Sequence, residues 1–83
     1  MKRFDQVNVN GEYEVKGDGY YLEQGEEFVI EANGGDVARF FKKCMYEKTN
    51  ITSLEFHGPD GNTAHNETYS IINIDDNTIK LMK

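Results

Sequence analysis

The segment from Asp36 to Lys48 constrains the fold most, because its apolar side chains recur at the spacing of an α-helix. Its apolar positions, at i, i+3, i+4, i+7 and i+8, are Val37, Phe40, Phe41, Cys44 and Met45. This spacing lines one side of a 3.6-residue helix, and that side has to be buried. Asp36 precedes the first apolar position, where its side chain is expected to cap the helix by accepting a backbone N–H. The sequence therefore predicts an amphipathic helix packed against the rest of the chain.

Alternating polar and apolar residues predict a β-hairpin at the beginning of the chain. Phe4–Val9 and Tyr13–Lys16 both alternate, and the Asn-Gly pair between them is typical of hairpin turns. A two-residue loop would place valines and glutamates on the same face of the hairpin. We expect a three-residue loop, Asn10–Glu12, because it pairs Val7 with Val15 and separates the two faces.

Four further segments precede the helix. Gly17-Asp18-Gly19 is interpreted as a turn, and Tyr20–Glu23 as a short strand that follows it. Gln24–Glu26 is a second turn. Glu27–Ala32 alternates again, and we expect this strand to lie in the interior of the sheet next to the helix.

The residues after the helix predict three more strands. Ser53–His57 alternates, His57–Asn62 is a turn cluster with the one proline of the chain, and Thr63–Asn66 is polar and interpreted as a loop. Thr68–Ile74 is rich in β-forming residues whose apolar members fall on both faces, which is typical of a strand covered on both sides. Asp75–Thr78 closes the last hairpin.

The last hairpin also has a predicted register. The four-residue loop Asp75–Thr78 would let Ile74 face Ile79 and Ile72 face Leu81, so that all four side chains share one face. A buried apolar face of this kind would extend the sheet on the side away from the first hairpin.

The order of elements predicts an α+β fold in one domain, residues 1–83. A chain of this size supports one core. The simplest arrangement with short connections is an antiparallel sheet of about five to six strands, with the single helix, about residues 36–48, packed on one face. A small barrel like the oligonucleotide-binding fold is the alternative, ranked second because the basic and aromatic strand face of such barrels is absent.

Charge restricts the classes of function. The net charge is −6, whereas residues 36–48 carry four basic and two acidic side chains, so the helix is a basic island in an acidic chain. Proteins that bind nucleic acid by themselves usually have the opposite balance, which disfavours direct binding without excluding it. No apolar stretch long enough for a membrane span and no apolar leader is present, so a soluble cytoplasmic protein is expected.

Residues that could carry chemistry are sparse. Cys44 lies on the apolar stripe and is interpreted as a buried hydrophobic residue. His57 and His65 lack the spacing of a metal site, and the sequence after Asp60 lacks the glutamate that closes a calcium loop, since Ile71 occupies that position. We therefore expect no enzyme activity, no catalytic residues, no metal and no cofactor.

Tyrosines and one charged helix face are the features most typical of a binding surface, because Tyr and Arg are enriched at interface centres. Since consecutive strand residues point to opposite faces, one ring of the pair Tyr20-Tyr21 must lie outside the core. The candidate partner-binding residues are Tyr20, Tyr21, Glu23, Glu26, Glu27, Arg39, Lys42 and Lys43.

The composition favours a non-enzymatic acidic protein-binding module. It would be a small inhibitor or adaptor, of the kind common among phage and mobile-element accessory proteins, that covers a basic or nucleic-acid-binding surface on a partner protein. The alternative is a nucleic-acid or ribonucleoprotein-associated domain that uses the basic helix face and exposed tyrosines. Homodimerisation through an unpaired sheet edge is compatible with both.

Overall fold

A computed structural model describes all 83 residues as seven antiparallel strands and one helix. The elements are β1 (Lys2–Val9), β2 (Tyr13–Gln24), β3 (Glu27–Ala32), α1 (Val37–Glu47), β4 (Leu54–Gly58), β5 (Gly61–His65), β6 (Ser70–Asp75) and β7 (Thr78–Met82). The strands form one sheet in the order β5-β4-β1-β2-β3-β7-β6. The predicted α+β architecture is confirmed. The strand count exceeds the predicted five to six, and the strand order has two ends, β5 and β6, instead of the closed ring of a barrel.

The predicted turn at Gly17-Asp18-Gly19 is wrong, because β2 continues through it, with a bulge in which Gly17 and Asp18 oppose Asp5 of β1. Both glycines are required by close packing. A Cβ on Gly17 would lie 2.4 Å from the carbonyl oxygen of Gly34, and a Cβ on Gly19 would lie 2.1 Å from the carbonyl oxygen of Glu31. The glycines therefore allow neighbouring backbone to approach the strand, and do not reverse the chain.

The predicted loop at Thr63–Asn66 is also wrong over most of its length. Gly61–His65 forms β5 and pairs with β4, so that Thr63 faces Phe56 and His65 faces Leu54. Because β5 is an edge strand, one side of it faces solvent, which agrees with its polar composition.

The strand predicted to be dry on both faces is the other edge strand, β6, and Ile72 is 56% exposed. Ile74 faces Ile79, as predicted. A bulge after Ile71 shifts the register, so Ile71, and not Ile72, faces Leu81. The extra residue explains why the apolar positions of this segment fall on both faces without a second covering layer.

The predictions for the first hairpin are confirmed. Val7 pairs with Val15 across a loop that begins with Asn10 and Gly11, both at positive φ (60° and 63°). The Asn10 side chain accepts a hydrogen bond from the Thr52 backbone N–H at 2.7 Å, which ties the loop to the segment before β4. The predicted interior position of β3 is confirmed as well, because β3 lies between β2 and β7.

Helix α1 begins and ends close to the predicted residues, but its buried stripe is narrower. Val37, Phe41 and Cys44 are buried, Phe40 is partly buried, and Met45 is 46% exposed. Met45 lies about 80° around the helix from Val37, at the edge of the apolar sector.

Asp36 occupies the N-cap position, as predicted, but the predicted side-chain cap hydrogen bond is absent. Asp36 makes no side-chain cap hydrogen bond, and its carboxylate instead accepts a hydrogen bond from the Arg39 guanidinium. The ion pair with a side chain one turn ahead competes with the backbone N–H groups for the same carboxylate oxygens.

The sheet curls strongly around its core. In the strand order, β3 and β4 are separated by β1 and β2, which would place them about 14 Å apart in a flat sheet. The rings of Phe28 on β3 and Phe56 on β4 are nevertheless 5.5 Å apart and nearly parallel, at 6°. A bridge between Ile51 and Tyr69 further joins the segments that precede β4 and β6. The face that packs on the core, called the inner face below, therefore closes partly on itself.

Replacing Gly19 by alanine should lower the free energy of unfolding by about 1–3 kcal/mol, because the new Cβ would overpack the sheet. It would lie 2.1 Å from the Glu31 carbonyl oxygen and 2.9 Å from the Phe4 ring. Chemical denaturation measures the loss. Gly34→Ala is the control, since its nearest neighbour is the movable Asp18 carboxylate, and should cost less than about 1 kcal/mol. Equal losses in the two variants would contradict the close approach at Gly19.

Candidate functional site

The structure distributes the candidate partner-binding residues over two sides of the molecule. Arg39, Lys42 and Lys43 are exposed on α1, which packs on the inner face of the sheet. Tyr20 and Glu27 point to the opposite face, called the outer face below. The remaining residues of the set are Glu26, in the β2–β3 turn, and Tyr21 and Glu23, which point to the inner side of β2.

One ring of the tyrosine pair lies outside the core, as predicted. Tyr20 is 39% exposed, whereas Tyr21 is 5% exposed and stacks on Phe56 with ring centroids 4.0 Å apart. Tyr21 is therefore a core residue, and Tyr20 is the tyrosine of the pair whose ring is accessible to a partner.

A group of apolar side chains on the outer face was not recognised from the sequence. This outer patch comprises Leu22, Val29 and Met82 on β2, β3 and β7, together with Ile72, the exposed bulge residue of the adjoining edge strand β6. Leu22 and Val29 are directly cross-strand, and Leu22, Met82 and Ile72 are 37%, 40% and 56% exposed. The signal was available in part, because Leu22 and Met82 each follow a residue that points into the core.

Acidic residues flank the outer patch. Glu27 pairs with Met82 across β3 and β7, and Glu31 pairs with Tyr20 across β2 and β3. Lys80 is the one cation inside this area, directly opposite Val29. Charged residues thus border the apolar side chains of the patch, and the carboxylates Glu27 and Glu31 are called its acidic rim.

The other half of the outer face, formed by β1 and β4 with the start of β2, is polar and internally bonded. Lys16 Nζ donates to Gln6 Oε1 at 2.6 Å, and Gln6 Nε2 donates to Asn8 Oδ1 at 2.9 Å. On β4, His57 Nε2 lies 2.6 Å from Glu55 Oε1. These groups satisfy one another, so this half offers a partner fewer free groups than the outer patch.

The exposed face of α1 carries a fourth residue that the sequence prediction missed. Tyr46 is 89% exposed and lies at i+7 from Arg39, with Lys42 and Lys43 at i+3 and i+4. These four residues are called the helix stripe. The helical spacing would have identified Tyr46, because it lies opposite the apolar stripe.

Two buried polar atoms without a protein partner lie at one end of the core. They are His65 Nε2 at the end of β5 and the Tyr69 hydroxyl before β6. Both rings meet Phe28 edge-on, at centroid distances of 5.1 Å and 5.7 Å. A buried hydroxyl without a partner costs about 1–3 kcal/mol, so this end of the core is less well satisfied than the rest.

Charged groups surround the same end. Lys83 Nζ lies 3.0 Å from Glu67 Oε2 and 3.2 Å from Glu23 Oε2. Hydrogen bonds to Glu67 and Glu23 raise the pKa of the Lys83 ammonium above 10.5. Burial raises the pKa of the Tyr69 hydroxyl above 10.0, and the negative charge of Glu67 acts in the same direction.

The histidines and the cysteine do not form a site. His57 pairs with Asn62 and lies on the outer side of β4, whereas His65 points into the core. Cys44 is buried on α1, and burial raises the pKa of its thiol. No three His, Cys, Asp or Glu side chains converge as a metal site would require.

Comparison with known proteins adds no functional assignment. No protein-family model, no curated protein and no solved structure matches this chain. Helix α1 lacks the length and apolar character needed to span a membrane.

Replacing Tyr69 by phenylalanine should raise the free energy of unfolding at neutral pH by about 1 kcal/mol, because it removes a buried hydroxyl that has no partner. The wild type should also lose stability above about pH 10. The raised pKa means that folded Tyr69 holds its proton more tightly than the unfolded chain does, so ionisation of the unfolded phenol above about pH 10 favours unfolding until the folded pKa is passed. Denaturation at several pH values measures both effects.

Tyr46→Phe is the matched control, since the Tyr46 side chain is 89% exposed and its hydroxyl is solvated in both states. This variant should retain the stability of the wild type at neutral pH and its decline above about pH 10. A loss of stability in Tyr69→Phe would show that the Tyr69 hydroxyl has a hydrogen-bond partner in solution, contrary to the prediction.

Proposed function

We propose that this chain is a non-enzymatic protein-binding module, and that the outer patch with its acidic rim is the surface that meets the partner. The observation that carries the proposal is the exposure of Leu22 and Met82 on one sheet face, beside the exposed Ile72 of the edge strand β6. Apolar side chains gathered on one face of a small domain mark an interaction surface more often than single exposed ones do.

The acidic rim supports a partner with a basic surface. Glu27 and Glu31 lie directly beside Met82 and Tyr20, and Glu26 extends the same sign of charge into the β2–β3 turn. Long-range attraction would speed the encounter, and burial of the apolar centre would supply most of the affinity. A small inhibitor or adaptor that covers a basic or nucleic-acid-binding surface would act in this way.

The proposal predicts that serine at Leu22 and Met82 weakens partner binding about tenfold or more, because the variant loses the apolar centre of the surface. The immobilised wild-type chain is first used to capture its partner from a lysate of the cells that encode it. Affinities of the variants for the purified partner are then measured by calorimetry. Raising the salt from about 0.1 M to about 1 M should also weaken binding, since it screens the acidic rim.

Met45→Ser is the matched control, because Met45 is a methionine of similar exposure (46% against 40% for Met82) on the other side of the molecule. It should bind as the wild type does. If Met45→Ser abolished binding while the Leu22 and Met82 variant bound normally, the partner surface would lie on α1 and the proposal would be overturned.

A second candidate function rests on the helix stripe. Tyr46 offers an almost fully exposed ring beside Lys42 and Lys43, neither of which has a carboxylate within salt-bridge distance. Single-stranded nucleic acid is bound by this combination, in which cations contact the backbone and an aromatic ring stacks on a base. The chain would then be a nucleic-acid or ribonucleoprotein-associated domain.

Fluorescence anisotropy with labelled single-stranded RNA and DNA at low salt tests this second function. If it holds, Tyr46→Ala should weaken binding about fivefold or more through lost stacking, and Lys42→Glu more strongly. Lys80→Glu changes an exposed cation on the outer face by the same charge and should have a smaller effect. Absence of binding by the wild type at low salt would end this candidate.

A further inference from the structure

A cavity of about 330 Å³ lies between the first residues of β1 and the β4–β5 hairpin. It exists because β1 pairs with β2 from Lys2 onwards but with β4 only from Gln6 onwards, after a bulge between Phe4 and Gln6. The beginning of β1 consequently has a strand on one side only. The hairpin is held close by Gly58, where a Cβ would lie 2.3 Å from the Arg3 carbonyl oxygen.

Part of the lining of this cavity is aromatic. Tyr21 and Phe56 line it, and their rings stack at 4.0 Å and 14°. A second cavity of about 340 Å³ adjoins the first, shares Lys2 and Tyr21 with it, and extends towards His65. Volumes of this size suit a small molecule and are too small for a folded partner.

The charges around this cavity differ from those of the whole chain. Lys2 and Arg3 both line the cavity, and neither has a carboxylate within 4.0 Å. Asp60 is the one acidic residue of its lining. Glu23, which lines the adjoining cavity, is already paired with Lys83 at 3.2 Å. A chain of net charge −6 therefore concentrates two free cations at its aromatic cavity.

We propose that this cavity, called the basic cavity, binds a small planar organic anion. Its anionic group would bind the Arg3 guanidinium, which forms strong charge-assisted hydrogen bonds to phosphate and carboxylate oxygens, and the Lys2 ammonium on the other side of β1 would add longer-range attraction. Its ring would pack against the exposed ring of Tyr20, which lies directly opposite Arg3 on β2. The Thr63 hydroxyl, which also lines the cavity, would supply a further polar contact.

Nuclear magnetic resonance titration of the full chain tests the proposal, because the backbone amides of Gly58 and Gly61 line the cavity and report on it directly. The probes are adenosine monophosphate and 4-hydroxybenzoate, which distinguish a phosphate headgroup from a carboxylate. Adenosine and inorganic phosphate supply the ring and the anion separately. At least one of the two planar anions should shift both glycine amides at concentrations up to about 1 mM, more strongly than either separate part does.

Lys2→Gln combined with Arg3→Gln should weaken this binding about tenfold or more while leaving the fold intact, since both side chains are exposed. Lys80→Gln combined with Lys48→Gln removes the same charge elsewhere on the surface and should leave the binding unchanged. Binding that inorganic phosphate reproduces fully, binding that both double variants lose equally, or no shift with any probe would overturn the proposal. The outer patch includes neither Lys2 nor Arg3, so the outcome is independent of partner binding.

Discussion

The shortage of helix is the constraint on which this structure depends. A single helix of 11 residues, about 16 Å long, must cover the inner face of a seven-stranded sheet. The helix covers only part of that face, with its buried side chains Val37, Phe41 and Cys44. The remainder can leave water only if the sheet covers itself, and the stacked rings of Phe28 and Phe56 are the contact through which it does so. Curling therefore replaces the second helix that a flat sheet of this width would need.

The open end of the core follows from this way of closing the sheet. Strands that curl towards each other without completing a barrel leave a gap where their hydrogen bonding stops, here beside the beginning of β1 and the end of β5. His65 and Tyr69 point into the core at that end with polar atoms that the strands do not satisfy. The incomplete closure of the sheet thus accounts for the cavities, for the unsatisfied atoms and for the raised pKa of Tyr69. A flat two-layer fold would not bring these three features together at one end of the core.

The sequence predicted the local features well, whereas a strongly curved sheet was implied only by the barrel alternative. The first hairpin and α1 are set by near neighbours, so the pairing of Val7 with Val15 and the burial of Phe41 followed from periodicity alone. The prediction of a turn at Gly17–Gly19 was wrong because glycine occurs both where the chain reverses and where a neighbouring backbone packs closely. Only the position of that neighbouring backbone distinguishes the two cases. The prediction of a loop in place of edge strand β5 was wrong because a polar edge strand and a polar loop have similar compositions.

The candidate surfaces also differ in how much of them the sequence predicts. The exposure of Tyr20 followed from alternation, and Tyr46 was within reach of the helical spacing, since both depend on one element. The outer patch draws Leu22, Val29, Ile72 and Met82 from four strands, and Ile72 is the unpaired residue of a bulge in β6 that the sequence pattern does not reveal. The net charge of −6 likewise hides the difference between the acidic outer face and the basic exposed face of α1. Because the acidic rim lies on the outer face and the cations of α1 on the inner side, a basic partner at the outer patch would leave the helix stripe free, and the two binding functions need not exclude each other.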